Sequence, residues 1–316
     1  MACAHVLMPG SGRRLKPGGR GCGCQDQLPF PYNKDLSGVL THLDRRTPFH
    51  RDRLANDPVT AAYLAAAMRL AGRYLGPDPD RTPADPRDEN SLERPLLSFL
   101  SQRAVTAEVA NNPDPFPRQG SVATLRSRWK SQSDFIADLI NFAMWPGNYP
   151  PGFYDEVASG ADRLLEGPDM VNAVHDLAYL NVRDAAMPAL RLGFAAMTMA
   201  EGDAVIGEAI AGSCTGFLEP WKEVYAALLS ARGLQLRPEI TLDDVANLLA
   251  AIVDGLALRS LGDPSGGLID HERKRTLLGT AALAVIHSLL ERTDQADGMT
   301  LEQAVHARVY GQPPAG

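Results

Sequence analysis

Apolar side chains recur at intervals of three and four along most of this 316-residue chain, and beyond Ser91 no stretch alternates with period two for long. That spacing builds helices and leaves no material for a large sheet, so the expected fold class is all-α. The stretch "TLDDVANLLAAIVDGLALRSLGDP" carries the pattern most fully. Val245, Leu248, Leu249, Ile252, Val253 and Leu256 form one broad apolar face. Thr241 supplies the N-cap, Asp243 and Asp244 favour the positive end of the helix dipole, and Gly262 with Pro264 closes the helix. In "TLLGTAALAVIHSLLE", Leu278, Ala282, Val285, Ile286, Leu289 and Leu290 repeat the arrangement, with Gly279, Ala281 and Ala284 small enough for close helix packing. Two such helices, over 241–261 and 274–292, are suited to pack on each other and on a second copy, giving a homodimer interface of four helices.

Punctuation divides the rest. Residues 1–34, with "PGSGRRLKPGGRGCGC" among them, are too rich in Gly, Pro and Arg to offset chain entropy by burial and are expected to be a disordered basic tail. Residues 35–90 are expected to be an extra helical segment. A short helix covers Leu36 to Asp44, and a longer one starts at the Asp57–Pro58 cap and ends at Gly76–Pro77. The Pro- and Asp-rich linker "GPDPDRTPADPRDEN" comes next and marks a boundary. Ser91 is placed to cap a helix through Gln102, and a second helix runs from Val105 to about Asn111. Beyond "WPGNYPPG" the pattern predicts helices near 152–166, 168–183, 185–200 and 203–233.

Several function classes are excluded by what the chain carries. No GxSxG, phosphate-binding glycine loop, HExxH or paired CxxC occurs, so no enzyme is expected. His175 with Asp176, and His271 with Glu272, are sequence neighbours that point to different sides of any helix. Cys3, Cys22, Cys24 and Cys214 are too few for a disulfide framework, and Cys3, His5, Cys22 and Cys24 match no common zinc spacing. No metal or cofactor is therefore expected. Every apolar run is broken by charge, Gly or Pro before reaching the length of a membrane span, and the N-terminus lacks the apolar stretch of a signal peptide. A cytoplasmic location is expected.

The net charge of −7 conceals a polarity. The acidic excess lies beyond residue 135, where phosphates would be repelled. Ahead of it stands "VATLRSRWKSQSDFIADLI", with Arg126, Arg128 and Lys130 around Trp129. This stretch resembles the end of the helix-turn-helix of the TetR family of bacterial transcriptional regulators. Thr124 and Leu125 match the family's Thr-Leu, Trp129 its aromatic, Ser131 its Ser, and Phe135 and Ile136 its Leu-Ile pair. The segment around Asp254 and Gly255 is similar to the family's penultimate long helix.

The resemblance implies a divergent helix-turn-helix over 91–134, followed over 135–316 by a helical domain for ligand binding and dimerisation. It implies a repressor released from double-stranded DNA by a small-molecule effector. Ser121, Thr124, Arg126, Arg128, Lys130, Ser131 and Gln132 would meet the duplex, with Trp129 turned inward. Arg126 stands where the family usually has a Tyr, and Gln132 where it has a Lys. "NNPDPFPRQG" puts about ten residues where a helix-turn-helix has three or four. The same residues therefore also fit a sensor or protein-binding module that has lost DNA binding. For the effector, Trp145, His175, Tyr179, Met197, Phe217, Trp221 and Tyr225 are the candidate lining, with Pro220 bending the long helix, and an apolar or aromatic ligand is implied.

Overall fold

The computed structural model describes residues 27–44, 47–76, 97–149, 152–183, 187–198 and 202–311. These residues are mostly helical, as the spacing predicts. The helices are α1 (Pro48–Ala55), α2 (Pro58–Leu75), α3 (Gln102–Val109), α4 (Val122–Arg126), α5 (Gln132–Met144), α6 (Phe153–Glu166), α7 (Met170–Arg183), α8 (Pro188–Met197), α9 (Ala204–Arg232), α10 (Leu242–Gly262), α11 (Leu277–Leu289) and α12 (Leu301–Tyr310). Two small antiparallel pairs join them, β1 (Leu234–Leu236) with β4 (Leu290–Arg292) and β2 (Ile269–Asp270) with β3 (Arg275–Thr276).

Side chains that accept from otherwise unpaired amides start these helices. Asp57, Ser101, Ser121, Ser131, Thr241, Thr276 and Thr300 cap seven of them, and Ser131, Thr241 and Thr300 do so within reciprocal capping boxes.

The chain divides into two compact units. The described residues of the first are 27–44, 47–76, 97–149, 187–198 and 202–214. α2 is its centre. Ala61, Ala62, Ala65, Ala66 and Ala67 are buried on several sides of that helix, and such small residues let neighbours approach closely. Tyr63, Leu64, Leu100, Val105, Leu125, Trp129, Phe135, Leu139, Phe142 and Leu192 share one continuous core. Polar bonds lock α2 to α3: Arg69 Nε donates to Glu108 Oε1 at 3.1 Å and Arg69 Nη2 to Glu108 O at 3.0 Å.

Those contacts revise the expected organisation. The segment expected to be an extra N-terminal addition is the heart of the unit that holds α3, α4 and α5, and the expected boundary at 76–90 does not separate units. Residues 77–96, which include Ser91 and the first five residues of its expected helix, lie outside the described residues. Beyond them the chain makes a 3-10 turn at Ser98–Leu100, and Ser101 caps α3. The order expected to begin at residue 35 begins earlier, because Leu28 is buried with Phe116 against α2, and Tyr32 packs on the same cluster.

No helix forms over Leu36 to Asp44. Thr41 and His42 donate their backbone amides to Asp138 Oδ1, and Asp44 donates its own to Arg128 O, so donors a helix would use internally are taken. Leu36, Leu40 and Leu43 still enter the core.

The described residues of the second unit are 152–183 and 215–311. α6 and α7 form a hairpin whose approach depends on Gly160, where a Cβ would lie 2.5 Å from Leu177 Cδ2. α7 also packs on α11 through Gly279, where a Cβ would meet His175 Nδ1 at 2.2 Å. The sequence pattern does not predict α12, and none of its residues is buried. By length and composition α10 is apolar enough to cross a membrane, contrary to the sequence expectation that no stretch would be, and it is the one such helix among the described residues.

Candidate functional site

The segment expected to meet DNA is held from behind. Ser121 caps α4 by accepting from Thr124 N at 3.0 Å. Behind the cap, the buried Tyr63 hydroxyl accepts from Ser121 N and donates to Ser121 O, each at 3.0 Å. Leu125 and Trp129 are fully buried, with Trp129 edge-on to Phe135 and donating from Nε1 to Asp138 Oδ2 at 2.8 Å. Asp138 is itself 0% exposed, and its other oxygen accepts from Thr41 N, His42 N and His42 Nδ1 at 2.8, 3.0 and 3.0 Å. A buried carboxylate survives only with such donors.

Between α3 and α4 the chain runs from Ala110 to Ser121 and is ordered by one residue that sequence reading missed. Asn112 is buried and donates from Nδ2 to Ala62 O at 3.2 Å and to Pro117 O at 2.9 Å, while its backbone carbonyl accepts from Arg118 Nε at 2.8 Å. Asn among the prolines of a turn was the available signal, since its side chain can bond to backbone.

The seven candidate DNA contacts separate into two groups. Arg126, Lys130, Ser121 and Ser131 are exposed and Thr124 is half-buried. Arg126 Nε donates to Gln102 Oε1 at 2.8 Å, and neither Arg126 nor Lys130 forms an ion pair among the described residues. Arg128 and Gln132 depart from the expectation. Arg128 is 7% exposed, donates to Thr60 Oγ1 at 3.1 Å and Thr124 O at 3.2 Å, and pairs with Asp57 at 3.4 Å. Its charge is spent inside the fold. Gln132 Nε2 donates to Leu100 O at 2.6 Å, and its Oε1 is buried without a partner.

The second unit contains a cavity of about 110 Å³ between α7, α9, α10 and α11. Of the candidate ligand residues, Phe217, Trp221 and Tyr225 line it, stacked one turn apart along α9, with Trp221 and Tyr225 ring centroids 6.0 Å apart. The other four do not. Trp145 follows α5 and Met197 ends α8, so both belong to the first unit. His175 packs on Gly279, and Tyr179 Oη lies 3.2 Å from His271 Nδ1.

The lining is completed by residues the sequence did not mark as ligand-facing: Val245, Leu249, Ala282 and Ile286, which it assigned to the apolar faces of the dimer helices, and Leu177 and Asn181, which it did not single out. Helices expected only as a dimer face thus also wall the cavity.

No family model, curated protein or solved structure matches the chain.

The chemistry on offer is therefore read from the residues alone. Among the described residues no group of three or more His, Cys, Asp or Glu side chains is placed to hold a metal ion; Cys3, His5, Cys22 and Cys24 lie outside them. The first unit presents cations on a firmly backed short helix and its following turn. The second presents an uncharged recess. His42, at the base of the first, has its pKa raised by the hydrogen bond to Asp138; desolvation opposes the shift, and the charges of Asp138, Asp134 and Glu208 support it.

Proposed function

We propose that the chain is a TetR-like transcriptional regulator, a repressor in which the first unit binds double-stranded DNA and the second takes a small effector that releases it. Exposed Arg126 and Lys130 carry the reading. Among the described residues both lack a carboxylate partner, and both sit on backbone fixed by the buried Leu125 and Trp129. A rigidly backed cation whose charge is not neutralised by a neighbouring carboxylate is suited to phosphate recognition. α2, α3 and α4, joined by the Tyr63–Ser121 bonds, would act as the three-helix reading unit, and α4 would enter the major groove. Homodimerisation through α10 and α11 belongs to the same proposal, since Leu248, Leu258 and Leu277 remain exposed there.

Fluorescence anisotropy with a labelled duplex tests the reading. Arg126→Ala and Lys130→Ala should each weaken binding by about tenfold without lowering thermal stability. Unchanged affinity in both variants would contradict it. The burial of Arg128 and Gln132 favours a second reading, a protein-binding module, in which even the wild-type chain gives no duplex binding.

A further inference from the structure

We propose that the cavity of the second unit takes a neutral, apolar molecule about one aromatic ring in size that carries a single hydroxyl or carbonyl group. The proposal deepens the effector reading and rests on it for its biological role.

Three observations define the ligand. The first is charge: no residue lining the cavity carries one. An anionic or cationic ligand would have to leave water with no counter-charge to meet it, which strongly disfavours fatty acids, phosphate esters and amines. The second is size. At about 110 Å³ the recess is of the same order as the roughly 150 Å³ apolar cavity that is known to hold benzene, which suits a ligand of one ring.

The third is the placement of polar atoms. Asn181 Nδ2 is committed to Leu177 O at 2.9 Å, which leaves its Oδ1 as an acceptor. The Tyr225 hydroxyl has no hydrogen-bond partner among the described residues. Burial pushes its pKa up, so it stays a neutral donor. Trp221, stacked on Tyr225, gives a flat wall against which a ring can lie. The Tyr225 hydroxyl can serve a single hydroxyl or carbonyl on the ligand, and the otherwise apolar lining offers little to satisfy a second polar group.

Three probes of nearly the same shape test this on the full-length chain: p-cresol, toluene and 4-methylbenzoate. Ligand-observed NMR and thermal shift at neutral pH, without DNA, read binding. p-Cresol should bind about three- to tenfold more tightly than toluene, as one net hydrogen bond predicts. 4-Methylbenzoate should show no binding at ten times the concentration. Tyr225→Phe should bring p-cresol to within about twofold of toluene and leave toluene unchanged. Ala282→Leu or Ala250→Leu, whichever keeps the wild-type circular dichroism, should remove both. Binding of 4-methylbenzoate as strong as that of p-cresol would overturn the proposal, as would no response to p-cresol or toluene up to their solubility. A p-cresol preference retained in Tyr225→Phe would overturn the assignment of the polar head. Because no duplex is present, failure of DNA binding elsewhere leaves these outcomes unaffected.

Discussion

Asp138 shows how one side chain can organise a neighbourhood. Its four hydrogen bonds join the 41–42 segment, the turn after α4 and α5. Trp129→Phe keeps the ring in the core but removes one donor from a buried carboxylate, and should lower stability by roughly 2 kcal/mol in urea denaturation. An unchanged midpoint would show that the bond is dispensable. The raised pKa of His42 predicts a pH signature. Its stabilising contribution is complete below the unfolded pKa near 6.5 and is lost as pH rises through the higher folded value. Melting temperature should therefore fall across that window in the wild type, and the fall should be smaller in His42→Gln. Equal slopes would contradict the assignment. Arg126 and Lys130 lie four apart and so share a helix face, whereas Arg128, three residues after Leu125, falls on the buried side, a difference the helical spacing already carries. What the sequence does not show is the partners that receive it, Thr60 and Asp57, 68 and 71 residues away in the chain. Arg128→Ala should accordingly cost stability, by about 2–3 kcal/mol, before it affects any surface function.

Elements with their own start signals were the most legible. α10 declares itself through Thr241, Asp244 and an apolar face, and it begins where the cap places it. α12 has a capping box too, but only three turns and no buried face, so its apolar periodicity gave nothing to detect. The 36–44 stretch failed in the opposite way. It has helical spacing, yet its amides bond to Asp138 and Arg128, contacts invisible to any local window. The close approach of α7 and α11 makes a sharper prediction. Gly279→Ala would drive a Cβ into the His175 ring and should destabilise the chain by about 1–3 kcal/mol, measured by denaturation. His175→Ala in the same chain should recover part of that loss. If the two changes prove additive, the helices do not meet through this pair.

On the scale of the whole molecule, the all-helical class was readable from spacing, whereas the grouping of helices was not. α8 belongs with α2 and α5, an association that includes Arg191 Nη1 donating to Leu75 O at 2.7 Å across 116 residues of sequence. The cavity was half legible for the same reason: the aromatic residues of α9 stood out, while the aliphatic walls from α7, α10 and α11 resembled any core. The distribution of charge bears most directly on function. The chain is acidic overall, yet it exposes Arg126 at the end of α4 and Lys130 just after it, neither ion-paired among the described residues. A duplex held by such contacts releases counterions, so its affinity must fall with salt. The decisive measurement is the affinity of the wild-type chain for its own upstream duplex and for a random duplex, by mobility shift across a salt series. The account predicts tighter binding to the upstream duplex, with log K falling linearly against log salt and a slope reduced by about one for each phosphate contact removed in Arg126→Ala or Lys130→Ala. Absence of binding at low salt, or binding indifferent to salt and to both substitutions, would contradict it.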